Sequence, residues 1–246
     1  MTTDRLTRTV REQVAQGRLL PLGGPGDALW ITERAAACAL RRACAALPEV
    51  RLGDIGLMLG EGTSEGVPAA APVGALPHVP LMIAADFEAA VGEPLPRVAD
   101  RLRDTLWAAA TDGLGLAVQT VDLRVTGLLE DDPGPSAALD AHEADAGPET
   151  GPAIVQGIAE AVEAAARAVP GVLRLTRRLA GFGGGLRIHD TEPPDAPARH
   201  VQLQVATAPG HRPLTVARHT AAAVARAASA GAPGPVGTAV VVTDVH

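Results

Sequence analysis

The sequence predicts an α+β fold of two repeated αββαβ units, or βαββαβ units if a leading strand belongs to each, every unit a small sheet with helices packed on one face. Three observations lead there. A helix-period segment runs directly into a strand-period segment between residues 95 and 130, the same order of elements returns after residue 152, and an acidic Pro/Gly stretch separates the two. The expected organisation is an N-terminal amphipathic helix and joint at 1–27, a first unit at 28–130, a linker at 131–152 and a second unit at 153–246.

The segment at 95–130 is the clearest. Pro96 suits a first helical turn, where its fixed φ is already helical and its missing N–H has no partner to lose. Val98, Leu102, Leu106 and Ala109 then fall on one face, with Arg97, Asp100, Arg101, Arg103 and Asp104 on the wet side. Gly113 and Gly115 are expected to stop this helix. Ala117, Gln119, Val121, Leu123, Val125, Gly127 and Leu129 alternate with Val118, Thr120, Asp122, Arg124 and Thr126, the period of a half-buried strand.

The earlier elements follow by the same logic. Leu6, Val10 and Val14 form a narrow apolar stripe among Arg5, Arg8, Arg11 and Arg18, which favours packing on the protein itself over lying on an anionic membrane. Pro21 to Asp27, PLGGPGD, is a turn-rich joint. It lacks the GK[ST] ending of a phosphate-cradling loop, and no strand is expected before it. Ala28 to Ile31 reads as a short strand and Thr32 as the N-cap of a helix whose face is Ala36, Leu40, Ala43, Cys44 and Leu47, ended by Pro48. Ile55, Leu57 and Leu59 alternate as a strand. A Gly, Ala and Pro-rich loop at 61–78 leads to a second alternation at Leu81, Ile83, Ala85 and Phe87.

From Glu130 to Pro152 the chain is acidic, rich in Pro and Gly, and without apolar period, as a flexible linker is. Ile154, Ile158, Ala161, Val162, Ala165 and Val169 then restore a helical face that ends at Pro170. PEVRL at 48–52 is answered by PGVLRL at 170–175, DFEAAVGEPLPRVADRL by VATAPGHRPLTVARHTA, and GLAVQTVDLRVTGL loosely by GPVGTAVVVTDV. An order kept with only loop-sized drift is what a tandem repeat looks like. In the second copy a short DTEPPDAPA turn replaces the long loop, and AGFGGGL, Ala180 to Leu186, precedes a strand as a pliable connection. Its last helix, Val216 to Ala228, is mostly alanine.

Composition narrows the function classes. Of 246 residues 47% are hydrophobic but only 2% aromatic, with no Tyr, so the cores must be built from Ala, Val, Leu and Ile. A net charge of −7 argues against nucleic acid, whose phosphates require clustered Lys and Arg. No apolar run approaches the roughly 20 residues that span a bilayer, and Met1 to Gly17 lacks the apolar region of a signal peptide, so the expected location is cytoplasmic with no direct membrane span. Cys38 and Cys44, six positions apart on one helix, point away from each other and read as ordinary thiols.

An enzyme would need converging titratable groups. The histidines are His78, His142, His189, His200, His211, His219 and His246. Only His189 and His200 suggest a site: they face one another if their strands form a hairpin, and Asp190 beside them completes an imaginable metal cluster. Ser64, Ser136 and Ser229 lack any nucleophile context. Asp86 and Glu88 read as solvated carboxylates on the outward face of a strand. The sequence therefore singles out no catalytic, cofactor-binding or metal-ligating residue.

The ordered features resemble the alkaline-shock, envelope stress response family of small bacterial cytoplasmic proteins, in a divergent, tandem-duplicated form of actinobacterial type. They are a Pro-x-Val closing an alanine-rich helix at Pro48–Val50 and Pro170–Val172, the GFGGG of the second copy, L-P-x-V-A at Leu95–Ala99, and the V-x-L-x-V-x-G strand at Val121–Gly127. The resemblance covers residues 28–130 and, more loosely, 153–245; the doubling, the long loop of the first copy and its lack of GFGGG are departures. It implies an abundant cytoplasmic protein held at the inner membrane face through a protein partner that acts as anchor, linked to envelope homeostasis, without catalytic residues. The expected function is thus a non-catalytic interaction or scaffold module, with self-association through edge strands or helix faces; Val118, Met82 and Trp107 are candidate contact positions. The alternative of a different class is a small-molecule-binding or metal-dependent enzyme using the cleft between the repeats.

Overall fold

The structure, a computed structural model, describes residues 16–63, 66–129, 153–179, 185–191 and 196–246. The expected N-terminal helix at Leu6, Val10 and Val14 and the linker at 131–152 lie outside the described residues. The elements in chain order are β1 (Leu19–Pro21), β2 (Leu29–Thr32), α1 (Glu33–Cys44), β3 (Val50–Leu59), β4 (Leu81–Ala90) and α2 (Leu95–Ala108). They continue with β5 (Val118–Leu129), α3 (Ala153–Arg167), β6 (Val172–Leu175), β7 (Leu186–Thr191), β8 (Ala198–Thr207), α4 (Pro213–Ala228) and β9 (Val236–Val245). The fold is α+β with mixed sheets, as expected.

Contacts divide the chain into two compact units, one of Met1–Ala35, Ser64–His78 and Ala144–His246, the other of Ala36–Thr63 and Val79–Glu143. The division does not follow the linear order expected from the repeat. Residues 64–78, between β3 and β4, belong with the six-stranded sheet.

In the smaller unit β3 pairs antiparallel with β4 and β4 pairs parallel with β5. Leu81, Ile83, Ala85, Phe87 and Ala89 of β4 are all buried and the residues between them are not, the expected alternation. β3 starts five residues earlier than Ile55, because Val50 to Leu52 also pair with β4 across a bulge at Gly53 and Asp54. α2 buries Val98, Leu102 and Leu106 and packs on β5. The helix does not stop at Gly113. A π-helical turn, Ala109–Leu114, carries it to Gly115, whose φ of +92° ends it with a hydrogen bond to the Ala110 carbonyl. The wider turn compensates the drift of a four-residue spacing, so Ala110 and Leu114 reach the core in place of Ala109.

The larger unit holds a six-stranded sheet, ordered β1-β2-β9-β8-β6 with β7 also on β8. Thr32 caps α1 as expected, its hydroxyl accepting the Ala35 N–H at 3.2 Å. The strand before it pairs elsewhere than expected. β2 lies parallel to β9, at the far end of the sequence, and antiparallel to β1. All four residues of its LWIT run are buried, so the strand needs cover on both faces. PLGGPGD is accordingly the loop of the β1–β2 hairpin, with a strand on each side of it.

β6 and β7 pair one after the other with the same edge of β8, β6 opposite 205–207 and β7 opposite 198–203. Gly185 restarts this interrupted strand: its φ is +96°, and a Cβ there would fall 2.2 Å from the Thr176 carbonyl oxygen. Both sheets thus show antiparallel pairing before a helix and parallel pairing after it. α3 and α4 pack on each other; α3 also touches β6 and β7, while α4 covers β9, β8 and β2. α3 buries Val162 and Ala166, and Val169 is buried just past its end, while the expected Ala161 is exposed, and the Ile154 side chain lies outside the described residues. α4 buries Leu214, Val216, Ala217, Thr220, Val224 and Ala228. A second core cluster joins Leu19, Trp30, Ala70, Leu179, Ala239 and Val241, so part of the 61–78 loop is core material of this sheet. The Trp30 indole N–H donates to the Leu76 carbonyl at 2.9 Å and fixes that segment.

Candidate functional site

The hairpin of β7 and β8 brings together His189 and His200, the pair that a hairpin reading of the sequence sets face to face. His189 stands directly opposite His200, and Arg187 opposite Gln202 one rung away. Residues two apart on a strand share a face, so these four side chains form one block. With Ala69 they line a shallow depression of about 130 Å³. Gln202 anchors the segment above it, its amide donating to the carbonyls of Ala70 at 2.9 Å and Ala71 at 3.1 Å. The His200 ring depends on a glycine: a Cβ on Gly237 would lie 3.2 Å from Nδ1. That Nδ1 is buried and has no hydrogen-bond partner among the described residues.

Asp190 does not join them. Adjacent strand residues face opposite ways, and Asp190 pairs with Arg199 on the other face. The Arg199 guanidinium donates two hydrogen bonds of 2.7 Å to the Asp190 carboxylate and further ones to the carbonyls of Ala228, Ala230 and Gly231. Arg199 thereby holds the Asp190 carboxyl below the ordinary carboxylate pKa and caps the end of α4. The imagined cluster of His189, Asp190 and His200 is therefore split between two faces. Both histidines lie within one compact unit. Among the described residues no group of three or more His, Cys, Asp and Glu is placed to hold a metal ion.

Arg187 and Gln202 are the site residues that sequence reasoning missed, and the period of two from His189 and His200 points to both. The other candidates are committed elsewhere. His78 is buried edge-on against Trp30, with ring centroids 5.2 Å apart. Asp86 pairs with Arg124 at 2.5 Å and Glu88 with Arg51 at 2.9 Å on the outward face of the smaller sheet. The Ser229 hydroxyl donates to the Arg226 carbonyl at a helix end; Ser64 and Ser136 lie outside the described residues. Burial pushes the Cys44 thiol up to about 11, and Cys38 is free as well.

Of the candidate contact positions Trp107 is the most exposed, while Met82 and Val118 are half-buried. The longer open surface is β5 itself. It is a twelve-residue edge strand, and Val125 and Leu128 on it are 43% and 56% exposed.

Comparison with known proteins returns no matching family model, no matching curated protein and no matching solved structure. Among the described residues no helix is long and apolar enough to cross a membrane.

Proposed function

We propose that this chain is a non-catalytic interaction or scaffold protein of envelope stress physiology, working in the cytoplasm near the inner membrane face through a protein partner that anchors it. The observation that carries the reading is the edge of β5, which no further strand pairs among the described residues. An edge strand presents alternate N–H and C=O groups without a ladder partner, and exposed aliphatics beside them favour a strand from another chain. The ordered segments at Pro48–Val50, Leu95–Ala99, Val121–Gly127 and Pro170–Val172 support the family resemblance that names the physiology. The same reading takes the two units as copies of one module, supported by their shared succession of antiparallel and parallel pairing.

The test is affinity capture of the intact protein from lightly crosslinked native cells, membrane and soluble fractions analysed apart. A Val125→Lys, Leu128→Lys double variant runs in parallel. One integral membrane protein at near-equal abundance, captured by the native chain and lost with the variant, is the expected result. Recovery of the protein alone from the soluble fraction would overturn it.

A second reading, a protein that binds a small ligand or a metal ion for catalysis, draws on the His189–His200 pair. Turnover would require a general acid or base beside the bound group, and among the described residues the lining of the depression offers the two imidazoles for that role.

A further inference from the structure

We propose that the β7–β8 face binds a phosphate group between Arg187 and the His189–His200 pair, as the free ion or as a small phosphomonoester. The proposal is independent of the scaffold reading. Its first ground is the lining: a guanidinium, two imidazoles, an amide and a methyl group, with no carboxylate among the described residues. The neighbouring acid is turned to the opposite face of β7 and already neutralised by Arg199. Arg187 has no ion-pair partner among the described residues.

The second ground is geometry. Directly opposed residues of an antiparallel pair hold their Cβ atoms about 5 Å apart, so both imidazoles reach one small group above the sheet, and Arg187 reaches it from the adjacent rung. A guanidinium beside two imidazoles disfavours a divalent cation and matches an anion. Guanidinium and two protonated imidazoles together carry up to three positive charges, more than a single carboxylate neutralises and well suited to a phosphate with its second pKa near 6. The size agrees. At about 130 Å³ the depression is smaller than the roughly 300–1,000 Å³ pockets that hold whole organic ligands, so it takes a headgroup-sized ion.

Binding is then coupled to protonation, because an anion favours the imidazolium form. Among the described residues the charged groups around the pair are few. Arg187 comes from β7, and Asp190 and Arg199 form their pair behind the sheet. The overlying segment contributes Ala69, Ala70 and Ala71, and β9 contributes Gly237.

The experiment titrates the intact protein at pH 6 with inorganic phosphate, and separately with sodium chloride at equal ionic strength, following the His189 and His200 ring signals by NMR. Saturable shifts of both ring signals with phosphate only are expected. Arg187→Gln, an exposed position, weakens phosphate affinity about tenfold, the loss of one charge-assisted contact. Glycerol 3-phosphate in place of phosphate separates the sources: tighter binding assigns an ester, equal or weaker binding the free ion, and both support the site. Equal shifts with chloride, an Arg187→Gln variant that binds unchanged, or saturation by Zn²⁺ with no response to phosphate would each overturn the proposal. The phosphate titration of the native chain needs no variant to fold.

Discussion

Arg218 on α4 grips the carboxylate of Asp27, 191 positions earlier in the chain, with two N–H donors at 3.1 and 2.6 Å. The same carboxylate accepts the Gly24 N–H at 2.9 Å, so one side chain closes the β1–β2 turn and straps it to a helix of the far end. Burial alone would raise the Asp27 pKa, but the Arg218 and Gly24 hydrogen bonds and the Arg218 charge outweigh it and hold the group below its ordinary value. A depressed carboxylate stabilises fully above the unfolded pKa of about 4, and the contribution is lost as pH falls through the lower folded value. With Arg218 half-exposed the pair stabilises by about 0.5–1 kcal/mol. Asp27→Asn should lower the thermal midpoint slightly at pH 7 and match the native chain at pH 2. A difference that persists undiminished at pH 2 would point to the turn geometry instead.

Arg199 is a larger contributor. Its side chain is only 5% exposed, and it joins Asp190 to three backbone carbonyls at and just past the end of α4. Replacing it by Met keeps the bulk but orphans those acceptors, at a cost of about 3 kcal/mol in urea unfolding. Arg199→Lys should recover only part of this loss, since an ammonium cannot span the carboxylate and the helix end in one plane. Equal stability of the Met and Lys variants would show that volume and not hydrogen bonding matters there.

Two glycines should answer oppositely to alanine. At Gly185 the left-handed backbone and the Thr176 carbonyl 2.2 Å from the new Cβ predict a loss of about 2 kcal/mol or more. Gly157 lies exposed in α3 with nothing within 4 Å of the position, so Gly157→Ala should stabilise by about 0.5–1 kcal/mol. Chemical denaturation of the two variants beside the native chain decides both.

The elements with a clean local period were legible in the sequence: α2 from Val98, Leu102 and Leu106, β4 from Leu81 to Phe87, the Thr32 cap. What escaped was set by distant partners. LWIT at 29–32 carries no mark of its parallel pairing with β9, and the Pro-rich 61–78 loop carries none of its place beside Trp30. The π-helical turn also escaped, because a one-residue widening leaves the composition of the helix unchanged. At the candidate site the facing of His189 and His200 followed from a hairpin reading alone. The separation of Asp190 from them was equally readable, since neighbours on a strand take opposite faces.

His78 gives the fold a proton-linked weakness. Both of its ring nitrogens are buried without a hydrogen-bond partner among the described residues. Burial pulls its pKa down; the backbone at Leu29 and Leu22 and the charge of Asp27 favour the imidazolium, but do not offset that. The folded chain therefore keeps a neutral imidazole where the unfolded chain, with a His pKa of about 6.5, takes up a proton. Stability must fall as pH drops below about 6.5 and level off once the folded group also titrates. His78→Leu removes that term: relative to the native chain it should gain stability on going from pH 7.5 to 5.5 in urea unfolding. Trp30, fully buried against this ring, supplies the fluorescence signal, with Trp107 on the surface as the second emitter. An unchanged difference between the two proteins at both pH values would mean that His78 does not titrate differently on folding.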